Sequence, residues 1–416
     1  MSETSFSEPM ANDSATISSR GVRLTSSVFV SLLLFDNRVG GRRIRKLLSD
    51  RVIRSLEEFY ELSPADILSR IAEYSGEPPQ ALRAMAECIL DPSLRTEAIR
   101  IAERSIERGI RAVNRTDPDY PRSLGQLEGM PLVLYYIGDL SILSQHSIPT
   151  VGVVGTRQPT SYGMKVAEEI SSELSARGIG IVSGLARGID TTAHQSCLRQ
   201  NGKTIAVMAG GLDDVYPPEN RDLFRQITGS GIVLSEMPPG QPAIRKYFPA
   251  RNRILSGLSD VVAVIEAGEF SGTLHTASFA AAQGKDVFSV PAGIYSEHSR
   301  GNLQLLRDGA QILLSSEDIL ARLAGVVYYR EIDELRERDE TERIQKLLAQ
   351  SPDKLTEREL RLLILQEISL SPRSMDELNK RIPVSFLRLA EVLSSMEIEG
   401  RITVSGERYT LTFSGT

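Results

Sequence analysis

Cysteine is scarce in this sequence: Cys88 and Cys197 are the only two among 416 residues. Two thiols cannot build a disulfide framework or a thiolate zinc site, and no other residues show the spacing of a metal cluster. We therefore expect a protein of the reducing cytoplasm that holds no metal and no cofactor.

Long hydrophobic runs are absent as well. The most apolar early stretch runs from Val28 to Phe35, far short of the roughly 20 residues that a membrane span requires. The first residues carry one basic side chain, Arg20, and no hydrophobic signal region. We expect Val28 to Phe35 to lie in a core helix, and the protein to make no membrane contact.

An excess of positive charge is also missing. The net charge is −6, which argues against a protein that coats nucleic acid along its whole surface. One window differs, because Met237 to Ser259 contains four basic residues and no acidic one. This window predicts a localised basic patch in a narrow groove.

The composition changes along the chain and predicts five segments. Apolar residues at helical spacing dominate the early part, and strands alternating with helices follow, which is typical of an α/β fold with a parallel sheet. Dense charge from Arg330 to Gln350 is typical of a solvated helix or linker. The segments are a disordered tail at 1–21, a helical domain at 22–110, an α/β domain at 111–328, a charged linker at 329–350 and a winged-helix-like domain at 351–416.

Two features of the outer domains have more than one interpretation. Val39 to Ile44 contains a glycine pair similar to that of helix-hairpin-helix modules, although an ordinary helix–helix turn explains it better. In the last domain, helices precede a hairpin around Gly406, which favours a winged helix. From Glu340 onward there are 11 basic and 12 acidic residues, a balance of −1, so we expect this domain to contact protein rather than duplex DNA.

The central stretch, Thr150 to Asp190, predicts a strand, a glycine turn, a helix, a second strand and a second glycine turn. Glycines after a strand let the backbone aim free N–H groups at a phosphate. Each turn also carries an arginine, Arg157 in the first and Arg187 in the second. The turns therefore predict an anion site, and we expect them to meet later turns at one edge of the sheet.

Signatures of nucleotide enzymes are missing here. The first turn lacks G-x-G-x-x-G spacing and no carboxylate ends the second strand, which argues against a dinucleotide. Asn201 to Thr204 mimics the end of a P-loop, but Cys197 replaces the first glycine and a strand follows. We predict binding without turnover and no catalytic residue, because no nucleophile–base spacing is recognisable. The acid–base candidates are Asp190, expected to cap the helix that carries a structural His194, and Glu236, Glu266 and His275.

The basic window suggests a second kind of chemistry. Residues 245–248 (RKYF) interleave cations with aromatic rings, which suits a single strand whose bases stack on Tyr247 or Phe248. Arg251 and Arg253 flank Asn252, and from a turn or a helix start one could reach phosphate and the other the core. The alternative is that Phe248 is core and one arginine forms a structural ion pair.

These motifs together resemble the DNA-processing protein A (DprA/Smf) family over roughly residues 112–314. The outer domains fit the family but are less diagnostic. The matching segments are GTR at 155–157 with YG at 162–163, the signature S-G-x-A-x-G-I-D-x-x-A-H at 183–194, G-G-L-x-x-x-Y-P-x-x-N at 210–220, SE at 235–236, F-P-A-R-N-R at 248–253 and SGT at 271–273.

The resemblance implies an extended Rossmann-like domain that binds and protects single-stranded DNA and loads the recombinase RecA during natural transformation. It also implies a homodimer with no established catalytic activity, and DNA contacts at Arg157 and at Arg245 or Lys246. The predicted nucleic-acid-binding residues are Gly155, Thr156, Arg157, Ser183, Gly184, Arg187, Arg245, Lys246, Phe248, Arg251, Asn252, Arg253, Ser271, Gly272 and Thr273.

Two other functions are alternatives at this point. A nucleotide-hydrolysing enzyme of the lysine-decarboxylase-like phosphoribohydrolase type would have a related sheet, but Glu266 to Thr273 departs from its P-G-G-x-G-T-x-x-E motif. A duplex-DNA regulator acting through the last domain is disfavoured by the near-neutral charge of that domain.

Overall fold

The computed structural model describes most of the chain in two compact units. The first unit is formed from residues within 1–147, 182–194 and 204–258, and the second from residues within 148–181, 195–203 and 259–416. The described residues are 13–35, 56–63, 65–67, 69, 91–115, 117–127, 129–143, 148–325, 344, 347, 348, 352–370, 373–399 and 401–411.

Strands and helices alternate through residues 111–325, which confirms the predicted α/β fold. The strands are β1 (Arg111–Asn114), β2 (Val133–Gly138), β3 (Thr150–Val154), β4 (Gly180–Ser183), β5 (Thr204–Met208), β6 (Ile232–Ser235), β7 (Val261–Val264), β8 (Asp286–Ser289) and β9 (Gln311–Ile312). Their hydrogen-bonded order is β1-β2-β6-β5-β4-β3-β7-β8-β9, a mostly parallel sheet.

Ten helices with defined bounds precede or flank these strands in the described residues. They are α1 (Asp13–Phe35), α2 (Leu56–Glu61), α3 (Pro92–Glu107), α4 (Arg122–Gly125), α5 (Ser161–Ala176), α6 (Ile189–Arg199), α7 (Arg221–Ser230), α8 (Tyr247–Leu258), α9 (Thr273–Ala282) and α10 (Arg300–Arg307), and a further helical segment covers 316–325.

In the first unit, the helical part packs on the antiparallel side of the sheet. β1 pairs antiparallel with β2, β2 antiparallel with β6, and β5 parallel with β6. Tyr135 of β2 is fully buried, and its hydroxyl lies 3.0 Å from the Ser27 carbonyl oxygen and 2.8 Å from Ser31 Oγ in α1. Val28 and Phe29 are also fully buried, which confirms the predicted core helix.

In the second unit, β3, β7, β8 and β9 pair in parallel. Every residue of β3 and β7 is buried, as expected of continuous apolar runs in a sheet covered on both faces. The Thr160 hydroxyl caps α5 by accepting a hydrogen bond from the Gly163 amide at 3.1 Å. The observed strands at 204–208, 232–235, 261–264 and 286–289 follow the alternation of strands and helices that the sequence predicts.

The amino-terminal region differs from its prediction. Helix α1 begins at Asp13, so residues 13–21, which the composition predicts to be disordered, are helical. Residues 1–12 and the glycine hairpin predicted at Val39 to Ile44 lie outside the described residues, as does most of the predicted linker. The predicted domain boundaries stay predictions.

The carboxyl-terminal part forms a small helical and three-stranded structure. Ser374 and Glu377 make a capping box at the start of a helix, and the predicted hairpin around Gly406 is confirmed. The assignment of this part to the winged-helix class stays a prediction. The elements are α11 (Glu357–Leu370), β10 (Arg373–Ser374), α12 (Met375–Arg381), α13 (Phe386–Ile398), β11 (Ile402–Ser405) and β12 (Arg408–Leu411), with the sheet order β10-β12-β11.

Two features are absent from the described residues. No helix within the described ranges combines the length and apolarity that crossing a bilayer takes. In the same part of the chain, no group of three or more His, Cys, Asp or Glu side chains is placed to hold a metal ion.

Candidate nucleic-acid interface

The turn after β4 is braced by the carboxylate of Asp190. Asp190 Oδ2 accepts hydrogen bonds from the amides of Gly184 at 3.1 Å and Ala186 at 3.3 Å. Burial raises the pKa of Asp190, while the charge of Arg251, these amides and Ser183 oppose the rise. The sequence predicts free N–H groups in this turn, whereas two of them already have an internal acceptor.

Leu185, at the centre of this turn, has a φ of 56°, a left-handed conformation that strains a residue with a side chain. Asn220 stabilises it by donating from Nδ2 to the Leu185 carbonyl oxygen at 2.9 Å. The same amide donates to Thr191 Oγ1 at 2.9 Å. Asn220 therefore fixes the turn, a role that its place in the Y-P-x-x-N motif did not reveal.

Arg251 lies inside the protein, although the sequence places it among the phosphate contacts. It is 6% exposed, and its Nη1 donates to the carbonyl oxygens of Gly184 and Val207. Its Nε donates to Asn252 Oδ1 at 3.1 Å. A Cβ on Gly184 would collide with this guanidinium. Arg251 thus joins the end of β5 to the turn after β4, and Asn252 helps orient it.

Arg253 forms the structural ion pair that the sequence leaves open as an alternative. Its Nη2 pairs with Glu236 Oε2 at 2.5 Å, with side-chain exposures of 16% and 10%. Its Nη1 also lies 3.5 Å from Met130 Sδ. Both arginines of the F-P-A-R-N-R segment therefore form contacts with other residues of the first unit.

Several predicted residues lie at the surface of the first unit together with Tyr216, which was not predicted. We define the basic–aromatic strip as Arg187, Tyr216, Arg245, Lys246, Tyr247 and Phe248. The Tyr216 and Phe248 rings meet edge to face, with centroids 6.1 Å apart. Lys246 Nζ lies 5.1 Å from the centre of the Tyr247 ring. Arg245 and Lys246 are exposed, so cations and ring faces share one surface.

Arg187 connects the turn to this strip. It is exposed and forms an ion pair with Glu219, whose side chain is half exposed. Hydrogen bonding to Glu219, with a smaller contribution from Tyr216, raises the pKa of Arg187, and the same pair lowers the pKa of Glu219. Tyr216 is 42% exposed. Sequence reasoning missed Tyr216 as a ring of the site, and the available signal was its aromatic side chain within the Y-P-x-x-N motif.

The turn after β3, in the second unit, has the same kind of brace. Glu266 is 2% exposed, and its carboxylate accepts from the Thr160 amide and the Thr160 hydroxyl, both at 2.7 Å. Its carbonyl oxygen accepts from the Thr156 amide at 2.7 Å. A Cβ on Gly163 would collide with the Glu266 carboxylate. The turn is therefore rigid, and it leaves Arg157 exposed beside the partly buried Gly155.

The predicted Ser271-Gly272-Thr273 segment opens helix α9 in the second unit. The Ser271 hydroxyl oxygen accepts from the Thr273 amide at 3.2 Å, and Gly272 is exposed. Asn302, which sequence reasoning missed, is fully buried and donates to the carbonyl oxygens of Val264 and Ile265, both at 3.1 Å. It holds the end of β7, where this loop begins.

Four of the five acid–base candidates, namely Asp190, His194, Glu236 and Glu266, make structural contacts, whereas His275 is exposed. His194 is fully buried, and its Nδ1 lies 2.6 Å from Thr204 Oγ1. Burial and the charge of Arg251 lower the pKa of His194 to about 3. Asp190 braces the turn rather than capping α6 from outside, because it lies within the first turn of that helix.

The fold defines the class to which this protein belongs. A mostly parallel sheet with glycine turns after its strands defines an α/β protein of the Rossmann-like kind. The family described as DNA recombination-mediator protein A matches residues 111–324, and this chain belongs to that family. The family predicted from the motifs is thereby confirmed.

Relatives support this assignment. The chain is 50% identical over 211 residues to protein Smf of Synechocystis sp., a match that spans 53% of that protein, or about half its length. It is 40% identical over 217 residues to DNA processing protein DprA of Bacillus subtilis, covering 52% of this chain and 72% of that one. The solved structure of DprA from Streptococcus pneumoniae has a TM-score of 0.56 and 30% identity, covering 71% of this chain and 97% of that chain.

Proposed function

We propose that this protein binds single-stranded DNA through the basic–aromatic strip and acts as a recombination mediator. The observation that carries the proposal is the strip itself. Exposed Arg187 interacts with Tyr216, Lys246 lies over the Tyr247 ring, and exposed Arg245 and Lys246 directly precede Tyr247 and Phe248 in the chain. Cations follow a phosphate backbone, while rings stack on bases that a duplex would keep paired. Binding of this kind tolerates any base sequence.

Arg157 supports the same proposal from the second unit. It is exposed on a turn whose backbone is held by Glu266, so the backbone that carries its side chain starts from a fixed position. We propose that Arg157 contacts phosphate. We also propose that Thr156, which follows β3, and the exposed Gly272, in the loop between β7 and α9, present further polar groups. A turn whose backbone is already fixed loses little conformational freedom when it binds a ligand, which favours affinity.

We also propose that the protein works by binding, without turnover. A hydrolase would need an accessible acid or base with a suitable pKa. His194 is enclosed and neutral, and the carboxylates of Asp190 and Glu266 accept backbone amides. These assignments support a binding role, and release of free base from a nucleoside monophosphate would contradict it.

The wider role is part of the proposal. The family description as a recombination mediator supports handing of the bound strand to RecA, in the cytoplasm and during natural transformation.

A homodimer is supported by the edge strand β9, where Ile312 is 56% exposed and Leu314 just beyond it is 76% exposed. Exposed apolar side chains on an edge strand suit pairing with a second copy. Light scattering of Leu314→Glu tests this, and an unchanged dimer would contradict this choice of surface.

A gel-shift series tests the central proposal. The wild type should retard single-stranded DNA at concentrations that leave duplex of the same sequence free. Lys246→Ala should weaken the single-strand shift by about tenfold through the loss of a phosphate contact, whereas Arg225→Ala, an exposed arginine of α7 paired with Asp222, should not. Equal retardation of both DNA forms would contradict the proposal.

A further inference from the structure

A cavity of about 360 Å³ lies in the first unit, and its lining contains neither Arg187 nor any residue of the turn after β4. One wall is the carboxyl-terminal half of α3, which contributes Arg100, Arg104 and its neighbour Arg108. The opposite wall is the loop after β6, through Pro239 and Gln241. This loop continues within four residues to Arg245, so the cavity and the basic–aromatic strip share one segment of chain.

The three arginines form a row along one helix face. They are spaced four residues apart, and four residues of α-helix rise about 6 Å, so successive guanidinium groups follow the helix axis at roughly that interval. This interval is comparable to the separation of successive phosphates in an extended strand. A row of cations at such a spacing suits a polyanion better than a single small anion.

Two carboxylates also line the cavity, and they occupy two of the arginines. Arg100 Nε donates to Glu97 Oε2 at 2.8 Å, and the pKa of Glu97 is lowered by this hydrogen bond. Arg108 Nη1 lies 3.6 Å from Asp213 Oδ2. Both arginines are about half exposed, and such pairs contribute little to stability, so a phosphate can replace the carboxylates.

Arg104 differs from its neighbours. It is exposed and, among the residues that the structure describes, makes no hydrogen bond or ion pair within 4 Å. Three basic and two acidic side chains leave this wall with a net charge of +1. The row therefore has one cation that is ready to bind an anion and two that can exchange partners.

We infer that the Arg100–Arg104–Arg108 row extends the single-strand path beyond the basic–aromatic strip, onto the helical part of the first unit. This inference rests on the proposed function. The ligand class is the phosphodiester backbone of a strand that is longer than the strip can cover. Leu32 and Pro239 in the cavity wall give a base an apolar surface where the phosphate meets Arg104.

Oligonucleotide length separates the two sites. Fluorescence anisotropy is measured with strands of about 6 and about 20 nucleotides, one near the short end of the usual single-strand site sizes and one beyond their long end. Arg104→Glu should leave the affinity for the short strand unchanged within about twofold, weaken the long strand by about tenfold, and lower its salt slope by about 0.7 for the lost phosphate contact. Arg104→Lys should retain most of the long-strand affinity.

A matched control is Arg307→Glu, the same charge reversal at an exposed arginine of α10 in the second unit. It should change neither affinity. If the wild type binds neither strand, the proposed function fails. If the wild type binds both strands and Arg104→Glu binds the long strand as tightly as Arg307→Glu does, the proposed function stands and the extension along α3 is overturned.

Discussion

The guanidinium of Arg251 occupies the space that a side chain on Gly184 would fill. It donates to the carbonyl oxygens of Gly184 and Val207 from a position that is 6% exposed. The turn after β4 therefore depends on the absence of a side chain at one residue and on a buried cation at another. Both are structural requirements for the loop that carries Arg187.

Gly184→Ala should destabilise the protein, because the new methyl group meets a guanidinium that is tethered by its hydrogen bonds. We expect a loss of about 1–3 kcal/mol in the free energy of unfolding, the usual cost of overpacking, measured by urea denaturation. The control is Gly229→Ala in α7, where a Cβ meets nothing within 4 Å. If Gly184→Ala is as stable as Gly229→Ala, a Cβ at residue 184 does not collide with the Arg251 guanidinium.

Arg251 and Arg187 should respond in opposite ways to truncation. Arg251→Ala leaves two buried carbonyl oxygens without a donor and should cost about 2–4 kcal/mol of stability. Arg187→Ala removes an exposed side chain and should cost little stability but weaken single-strand binding. Thermal unfolding and DNA-binding anisotropy of both variants check this prediction. If Arg251→Ala keeps its full stability but loses most of its affinity for single-stranded DNA, Arg251 is a phosphate contact.

If Arg187 contacts DNA as proposed, Glu219 should compete with DNA for it. Its carboxylate holds the exposed guanidinium in the absence of a ligand, so its removal should free the cation for phosphate. Glu219→Gln should tighten single-strand binding by about two- to fivefold at low salt, with a smaller gain at high salt because screening weakens the competing pair. Asp222→Asn, which frees Arg225 on nearby α7, should have no such effect, and equal gains would remove any special role for Glu219.

His194 should make stability depend on pH. Its folded pKa of about 3 lies below the ordinary value of 6.5, so the unfolded chain binds the proton more readily between these values. Stability from this group is present above pH 6.5 and falls as the pH drops toward 3, by up to about 1.4 kcal/mol per pH unit.

His194→Asn should flatten this part of the stability profile, measured by urea denaturation between pH 7 and pH 5. Asparagine can retain a hydrogen bond to Thr204 but does not titrate. The matched control is His275→Asn, the same substitution at an exposed histidine of α9, and its slope is compared with that of His194→Asn. A wild-type slope in the His194 variant would show that the imidazole is not enclosed.

The strands could be predicted because their apolar residues are continuous and local. Val151 to Val154 and Val261 to Val264 lie in strands whose residues are all buried, and no distant partner is needed to identify them. The motifs likewise located both glycine turns and their arginines.

The sequence alone could not show that backbone amides near the two glycine turns donate to carboxylates inside the protein. Glu266 reaches Thr160 from more than 100 residues away, and Asp190 turns back on the amides before it. Whether Arg251 faces phosphate or the core depends on the rotation of α8 about its own axis, which the pattern of one short helix does not fix. Pairing at a distance and helix rotation are tertiary properties.

The salt dependence of single-strand binding tests the central claim most directly. Affinity is measured by anisotropy from low to moderate salt for the wild type and for the triple variant Arg187→Ala, Arg245→Ala, Lys246→Ala. The account predicts that the logarithmic salt slope of the variant is smaller by about 2, from three lost contacts at about 0.7 each, with its fold intact. An unchanged slope and affinity in the variant would contradict the account, because the strand would then lie elsewhere on the protein.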